Sequence, residues 1–246
     1  MIDKLVWDTN FFNLQIGKLN AYDQNFTAVA VEEAITYSQK NFDLSYLIIN
    51  PENHEAIAHL KLLGYPIVDE KVTFVKSLDQ AEHPFNKWVE TNNSKHIQAP
   101  LLSLALQSGE FSRYKTDHNF PINSYEKLYT KWIEDSVNGR LADYVLVRKK
   151  DTGLVGFITL SIRSTFSEIG LLAVDKNNRG EGISKQLIEQ AFHYSSIHKM
   201  QIIRVVTQLN NKIACRLYEQ KGFRIEKIEY IYHIWKKHLA HDSNTI

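Results

Sequence analysis

Apolar residues in this chain follow two rhythms. Dense short runs, Leu44 to Ile49, Tyr144 to Val147, Leu154 to Ile162, Phe166 to Val174 and Gln201 to Thr207, have the length of buried strands. Ile67 to Phe74 and Phe223 to Trp235 read as longer alternating strands, the second through Ile225, Ile228, Tyr230 and Tyr232. Between them apolar residues recur at helical spacing over Ala28 to Gln39, Leu101 to Ser108, Tyr125 to Asn138, Gly182 to about Ser196 and Asn211 to Lys221. Asp151-Thr152-Gly153 marks a hairpin turn, and Gly222 stands where a helix C-cap is wanted. The order predicts an α/β chain with a mixed sheet and helices on both faces. Ala81 to Pro100, polar and carrying Pro84, His96 and Thr91-Asn92-Asn93-Ser94, reads as a linker.

The pattern repeats. Asn53-His54-Glu55-Ala56 leads through Leu60 to Gly64-Tyr65, and Asn211-Lys212-Ile213-Ala214 leads through Leu217-Tyr218 to Gly222-Phe223. In both, Ala follows Asn by three residues and the Gly-aromatic pair begins eleven residues on. Each copy follows a helix and an apolar strand and precedes an alternating strand, so the chain contains the same unit twice. The copies differ in two places. Leu60 occupies the position of Tyr218, and only the second copy has a Gly-spaced loop ahead of its helix.

That loop, Arg179-Gly180-Glu181-Gly182-Ile183-Ser184, opens a helix and frees several backbone N–H groups. Unpaired donors and a favourable dipole make a helix start a site for a pyrophosphate. Small residues let the backbone close on the anion, and Arg179 and Lys185 add charge.

Composition narrows the function classes. The 246 residues are 43% hydrophobic and 11% aromatic, ample for a core, and their length suits one large or two small domains. A net charge of +1 argues against a partner that is nucleic acid or an anionic membrane. Cys215 is the one cysteine, so no intrachain disulfide is expected, and no Cys/His cluster has the spacing of a metal site. The opening MIDKLVWDTNFF lacks the pattern of a signal peptide, and no run approaches the ~18 apolar residues of a membrane span. The expectation is a soluble, cytoplasmic protein.

Two motifs carry a resemblance. Arg179-x-x-Gly182-x-Ser184 is similar to the R/Q-x-x-G-x-G/A signature of the Gcn5-related N-acetyltransferase (GNAT) superfamily, with Ser184 a small departure at its last position. Asn211 to Phe223 follows that family's N-x-x-A-x-x-L-Y-E-x-x-G-F without a gap. Within the superfamily the chain resembles the dTDP-fucosamine acetyltransferases. Leu5 to Phe12 with Gly17 resembles their N-terminal strand and turn. Phe111-Ser112-Arg113-Tyr114, Asp117 and Tyr129-x-x-Trp132-Ile133-Glu134 resemble their substrate-side helices. Gly170 to Ala173 and Arg204 to Gln208 match their central strands.

The resemblance implies a GNAT fold with a truncated GNAT-like domain over residues 1–95 and an acetyl-CoA-binding catalytic domain over 96–246. It implies transfer of acetyl from acetyl-CoA, without a metal, to the amine of a nucleotide-linked amino-dideoxy sugar. The loop Arg179, Gly180, Glu181, Gly182, Ile183, Ser184 and Lys185 would hold the cofactor together with Asn211, while pantetheine amides pair along Leu172, Ala173 and Val174 as an added strand would. Tyr218 matches the general acid, also lining the cofactor, and a phenol's pKa of about 10 suits proton transfer to a departing thiolate. Two carboxylates compete as base: Glu168, just before the cofactor strand, and Asp69, on the strand after Gly64-Tyr65. Arg113, Tyr114 and Gln208 fall to the acceptor, the guanidinium of Arg113 suiting a diphosphate. The expected partner is a small-molecule amine; read instead as a dimerisation module, the N-terminal half would bring a homodimer. Rival readings are an acetyltransferase for another small-molecule or peptide amine, or a non-catalytic acetyl-CoA-binding protein.

Overall fold

A computed structural model describes residues 2–22, 26–78, 85–92, 94 and 96–237. The first half runs β1 (Asp3–Lys4), α1 (Val6–Phe12), β2 (Ile16–Ala21), α2 (Ala28–Asn41), β3 (Leu44–Ile49), α3 (His54–Leu62) and β4 (Asp69–Ser77). There follow β5 (Val89–Thr91), α4 (Ala99–Ser108), α5 (Arg113–Thr116), α6 (Ser124–Val137), β6 (Tyr144–Lys150), β7 (Gly153–Ile162) and β8 (Ser167–Val174). The chain ends α7 (Ile183–Ile197), β9 (Ile202–Gln208), α8 (Lys212–Gln220) and β10 (Arg224–Trp235). It is the mixed α/β architecture expected from the sequence.

Contacts divide the chain into two compact units. One comprises Met1–Val72, Ser112–Ser124 and Lys227–Ile246, the other Thr73–Phe111 and Tyr125–Glu226. Both β4 and β10 contribute residues to each unit, so compactness does not follow the two halves of the sequence.

In the first unit the strand order is β1-β2-β3-β10-β4. Strands β2 and β3 pair in parallel from Ile16↔Leu44 to Ala21↔Ile49, while β10 pairs antiparallel to β3, placing His233 opposite Tyr46. Every residue of β3 is buried, as its unbroken apolar run requires of a central strand. Alternation sends Leu47, Ile49, Tyr232 and Ile234 to one face, where they meet Val31 of α2 and Ala56 and Leu60 of α3.

In the second unit the order is β4-β9-β8-β7-β6-β5. Its core joins Leu101, Leu104 and Ala105 of α4 and Ile133 of α6 to Val145, Val147, Phe157 and Ala173 of the sheet. Truncating a fully buried side chain such as Leu60 or Ile133 to alanine costs about 2–5 kcal/mol.

Two expectations are corrected. Val6–Phe12 is a helix, not a strand and turn: Trp7 and Phe11 stack one helical turn apart, ring centroids 4.9 Å, and Asn13 in the left-handed region ends the helix at φ 54°. The strands β1 and β2 flank it. Part of the expected linker is also ordered, for Val89 to Thr91 pair antiparallel to Arg148 to Leu146 of β6 and bury Val89. Residues 81–84, 93 and 95 of that linker lie outside the described residues.

Candidate functional site

In the second unit two parallel strands part. Pairing between β8 and β9 covers Ser167↔Ile203, Glu168↔Arg204 and Ile169↔Val205, whereas β8 continues to Val174 and β9 to Gln208. A bulge in β8 lies at the parting point. Between Ile169 and Leu172, β8 has one residue more than the β7 segment opposite it. Thr159 Oγ1 accepts the N–H of Leu171 at 2.8 Å, and a Cβ on Gly170 would stand 2.8 Å from that oxygen. Beyond the bulge the β8 backbone faces a gap with the form of a missing strand, to which an extended amide-bearing guest can pair. Leu172 and Val174 are half-buried along it, and Ala173 turns into the core.

At the carboxyl ends of these strands lie the starts of α7 and α8, the position at which open α/β sheets take ligands. Helix α7 begins after Gly182, whose φ of 78° is left-handed, as is the 84° of Gly180. No atom lies within 4 Å of where a Cβ would stand on either, and no side chain caps the helix. With no side-chain cap, the first N–H groups of α7 are left for an outside acceptor such as a pyrophosphate. Ile183 itself is a core side chain and can offer this site only its backbone. Arg179 donates from Nε to the Val174 carbonyl at 3.3 Å, and Lys185 is exposed. The Glu181 carboxylate takes hydrogen bonds from Lys150 and Asn178, which hold its pKa below the usual range.

Asn211 is the N-cap of α8, its side-chain oxygen accepting from Ala214 N–H at 3.2 Å. Tyr218 lies two turns on, buried between Phe74 and Phe223 at centroid distances of 5.7 and 5.6 Å. Burial pushes its phenol above the ordinary value, and Cys215 adds to the shift, so the group keeps its proton across the working range. Glu168 is partly exposed, 3.7 Å from Arg163. The backbone oxygen of Gln208 accepts from Asn211 N–H at 3.0 Å.

In the first unit the structure brings Asp69, Arg113 and Tyr114 together. Arg113 Nη1 lies 3.3 Å from Asp69 Oδ2 and Nη2 donates to the Tyr114 hydroxyl at 2.9 Å. Its guanidinium carbon stands 4.9 Å from the centre of the Tyr46 ring and 4.6 Å from that of Tyr114. Burial raises the Asp8 carboxyl nearby, against the pull of the Arg113 charge.

One cluster escaped the sequence reading. Asp117 Oδ2 accepts from His233 Nδ1 at 2.5 Å and Trp235 Nε1 at 2.8 Å. Burial alone would raise Asp117, but these bonds and the Asn119 N–H hold it down to about 2. Burial lowers His233 to about 4. The available signal was a lone polar residue within Tyr230-Ile231-Tyr232-His233-Ile234-Trp235.

Residues 142–225 match the model of the acetyltransferase (GNAT) domain family, and the parallel strands that part beside an uncapped, glycine-led helix lie within that stretch. Two curated relatives bear on it further. Over 135 residues the chain is 30% identical to the spore coat polysaccharide biosynthesis protein SpsD of Bacillus subtilis, covering 55% of this chain and 46%, just under half, of that protein. Over 233 residues it is 28% identical to the dTDP-fucosamine acetyltransferase of Escherichia coli O6:H1, covering 93% of this chain and 96% of that one. The fold is similar to that of a GCN5-related N-acetyltransferase from Sphaerobacter thermophilus, with a TM-score of 0.54 at 16% identity over 78% of this chain and 60% of that one. No helix among the described residues is long and apolar enough to cross a membrane.

Proposed function

We propose that the protein is an acyl-CoA-dependent N-acetyltransferase that moves acetyl from acetyl-CoA to the amine of a nucleotide-linked amino-dideoxy sugar, a dTDP-4-amino-4,6-dideoxyhexose. The observation that carries the donor half is the parted β8 and β9 with the uncapped start of α7. The acceptor half is supported by a likeness that extends over nearly the whole of this chain and of a dTDP-fucosamine acetyltransferase.

Acetyl-CoA supplies a thioester as acyl donor. In this reading residues 179–185 bind its pyrophosphate, Leu172 to Val174 pair with its amides, and a backbone N–H there polarises the thioester carbonyl. Asn211 adds its side-chain amide. Tyr218, kept protonated by burial, gives its proton to the leaving sulfur. Arg113, Tyr114 and Gln208 serve the acceptor. Glu168 and Asp69 are the carboxylates for the amine proton, and a weakly basic sugar amine lowers the demand on either. Residues 1–95 form the truncated, non-binding copy of the fold and 96–246 the catalytic one.

Thiol release from acetyl-CoA, measured with a panel of dTDP-4-amino- and dTDP-3-amino-dideoxy sugars, tests this. Saturable turnover with a 4-amino sugar is expected. Silence with every sugar, in protein that binds acetyl-CoA, would leave the donor site standing and remove the acceptor.

A further inference from the structure

Several buried polar atoms of the first unit, the Tyr46 hydroxyl among them, make no hydrogen bond within the described residues, and two of these flank the Tyr46 ring. Arg113 Nε–H is a donor and His233 Nε2 an acceptor, and neither has a hydrogen-bond partner among the described residues. Leaving such a group unpaired is costly, so a guest that pairs it is favoured. The state of His233 follows from its neighbour. Its Nδ1 is 2.5 Å from the Asp117 carboxylate, which only accepts, so Nδ1 carries the proton and a neutral ring leaves Nε2 as a bare lone pair. The side chain of His233 is 1% exposed.

Both atoms belong to groups around one ring. The Arg113 guanidinium carbon is 4.9 Å from the Tyr46 centroid and the His233 ring 5.1 Å from it, on the sheet face away from α2 and α3. Phe120 touches His233 edge-on at 5.6 Å, giving the place apolar walls. The Arg113 side chain keeps 17% exposure, so the place opens on that side.

We infer that this is a hydroxyl-binding subsite for the ring of the acceptor sugar, an assignment that rests on the nucleotide-sugar reading above. The chemistry selects the guest. A phosphate oxygen accepts from Arg113 but has no proton for His233, and an ammonium donates to His233 but has no lone pair for Arg113. A hydroxyl does both. The charge of Arg113 is already met by Asp69 at 3.3 Å, which further disfavours a diphosphate at this point and favours a neutral polyol.

The test compares kcat/KM for dTDP-4-amino-4,6-dideoxy-D-galactose with its 2-deoxy and 3-deoxy counterparts. A site built around a hydroxyl rejects the analogue lacking it by about 10²-fold or more, so one of the two deoxy sugars should fall by that factor. His233→Asn keeps a donor for Asp117 and deletes Nε2; the discrimination should shrink to within about tenfold, through loss on the hydroxylated sugar. His233→Gln, which returns an amide near the Nε2 position, should restore part of it. Arg113→Lys, which keeps the charge on Asp69 and removes Nε–H, gives a second variant, with thermal melting and acetyl-CoA binding confirming that each protein is folded. If the wild type treats all three sugars alike, the guest is a resident water only and the inference falls while the acetyltransferase reading stands. Unchanged discrimination in both variants overturns it as well. No turnover with any of the three, in protein that binds acetyl-CoA, removes the nucleotide-sugar reading and this subsite with it.

Discussion

The two copies of the repeat share their hydrogen bonds almost atom for atom and differ in what they leave open. Asn53 caps α3 through Ala56 N–H at 3.0 Å and Asn211 caps α8 through Ala214 N–H at 3.2 Å. Tyr65 N–H returns to Leu60 O at 2.9 Å and Phe223 N–H to Tyr218 O at 3.0 Å, after Gly64 and Gly222, both at φ 80°. The features on which the proposed donor site rests are closed three times over in the first copy. Its parallel strands β2 and β3 stay paired over all six residues, where β8 and β9 part after three pairs. The start of α2 is used internally, Thr27 Oγ1 accepting from Ala30 N–H at 3.4 Å and Glu55 from Ala28 N–H at 2.9 Å. The Asn53 amide donates to Phe26 O at 2.9 Å, whereas the amide nitrogen of Asn211 has no partner among the described residues. On the proposed reading, the second copy binds through backbone groups it leaves unpaired, and the first copy pairs their counterparts.

The comparison breaks most sharply at Tyr218 and its counterpart Leu60. Tyr218→Phe should lower kcat by about 10²- to 10⁴-fold while acetyl-CoA binding, read by calorimetry, stays nearly intact. Unchanged turnover would take the phenol out of the mechanism. Leu60→Tyr, the reverse graft, should add no second acetyl-transfer activity to that of the Tyr218 copy and lose about 1–3 kcal/mol by overpacking a fully buried site.

A second contrast concerns β10, which belongs by sequence to the second copy yet pairs with β3 in the first unit. It brings His233 there. The unfolded chain takes up a proton near 6.5, the buried imidazole only at about 4, so the unfolded state binds more protons between those values. Stability is therefore whole above pH 6.5 and declines as pH falls towards 4, by on the order of 3 kcal/mol. Urea unfolding at pH 7.5 and 4.5 should show this loss in the wild type and less of it in His233→Asn. Equal losses in both would assign it to other groups.

Much of this was legible in the chain. The strand Leu44 to Ile49 was bounded to the residue, and helices and strands from Leu101 onward fell within a few positions, because dense apolar runs and Asn and Gly caps act locally. The Gly182 loop and the Asn211 motif were readable because backbone geometry demanded particular residues. What failed had distant causes. Val6–Phe12 is short and capped by no side chain, so nothing local separates its helix from a strand. The strand Val89–Thr91 exists only because β6 offers an edge. The bond from Asp117 to His233 spans 116 residues, and no spacing rule connects them.

Exchanging the helix starts is a gentler test of the same contrast. Gly182→Thr imports the first copy's cap, placing a β-carbon at φ 78° and an acceptor beside the free N–H groups. Acetyl-CoA affinity should fall by about 10²-fold, since the anion loses donors and the loop is strained. Thr27→Gly should cost a few tenths of a kcal/mol and create no acetyl-CoA binding, because β2 and β3 remain paired. Binding gained by Thr27→Gly would mean that the cap alone silences the first copy.

The smallest effect separates folding from function within one residue type. Asn53→Ala and Asn211→Ala each remove one N-cap from a nine-residue helix, and each should lower stability by about 1 kcal/mol in urea unfolding. Asn53→Ala loses in addition its bond to Phe26 O and should be the more destabilising of the two. Only Asn211→Ala should weaken acetyl-CoA binding, because its amide nitrogen has no partner among the described residues whereas that of Asn53 is bonded to Phe26 O. Equal stability losses with equal binding would make both asparagines caps and nothing more. The donor site would then rest on the parted strands and the start of α7 alone.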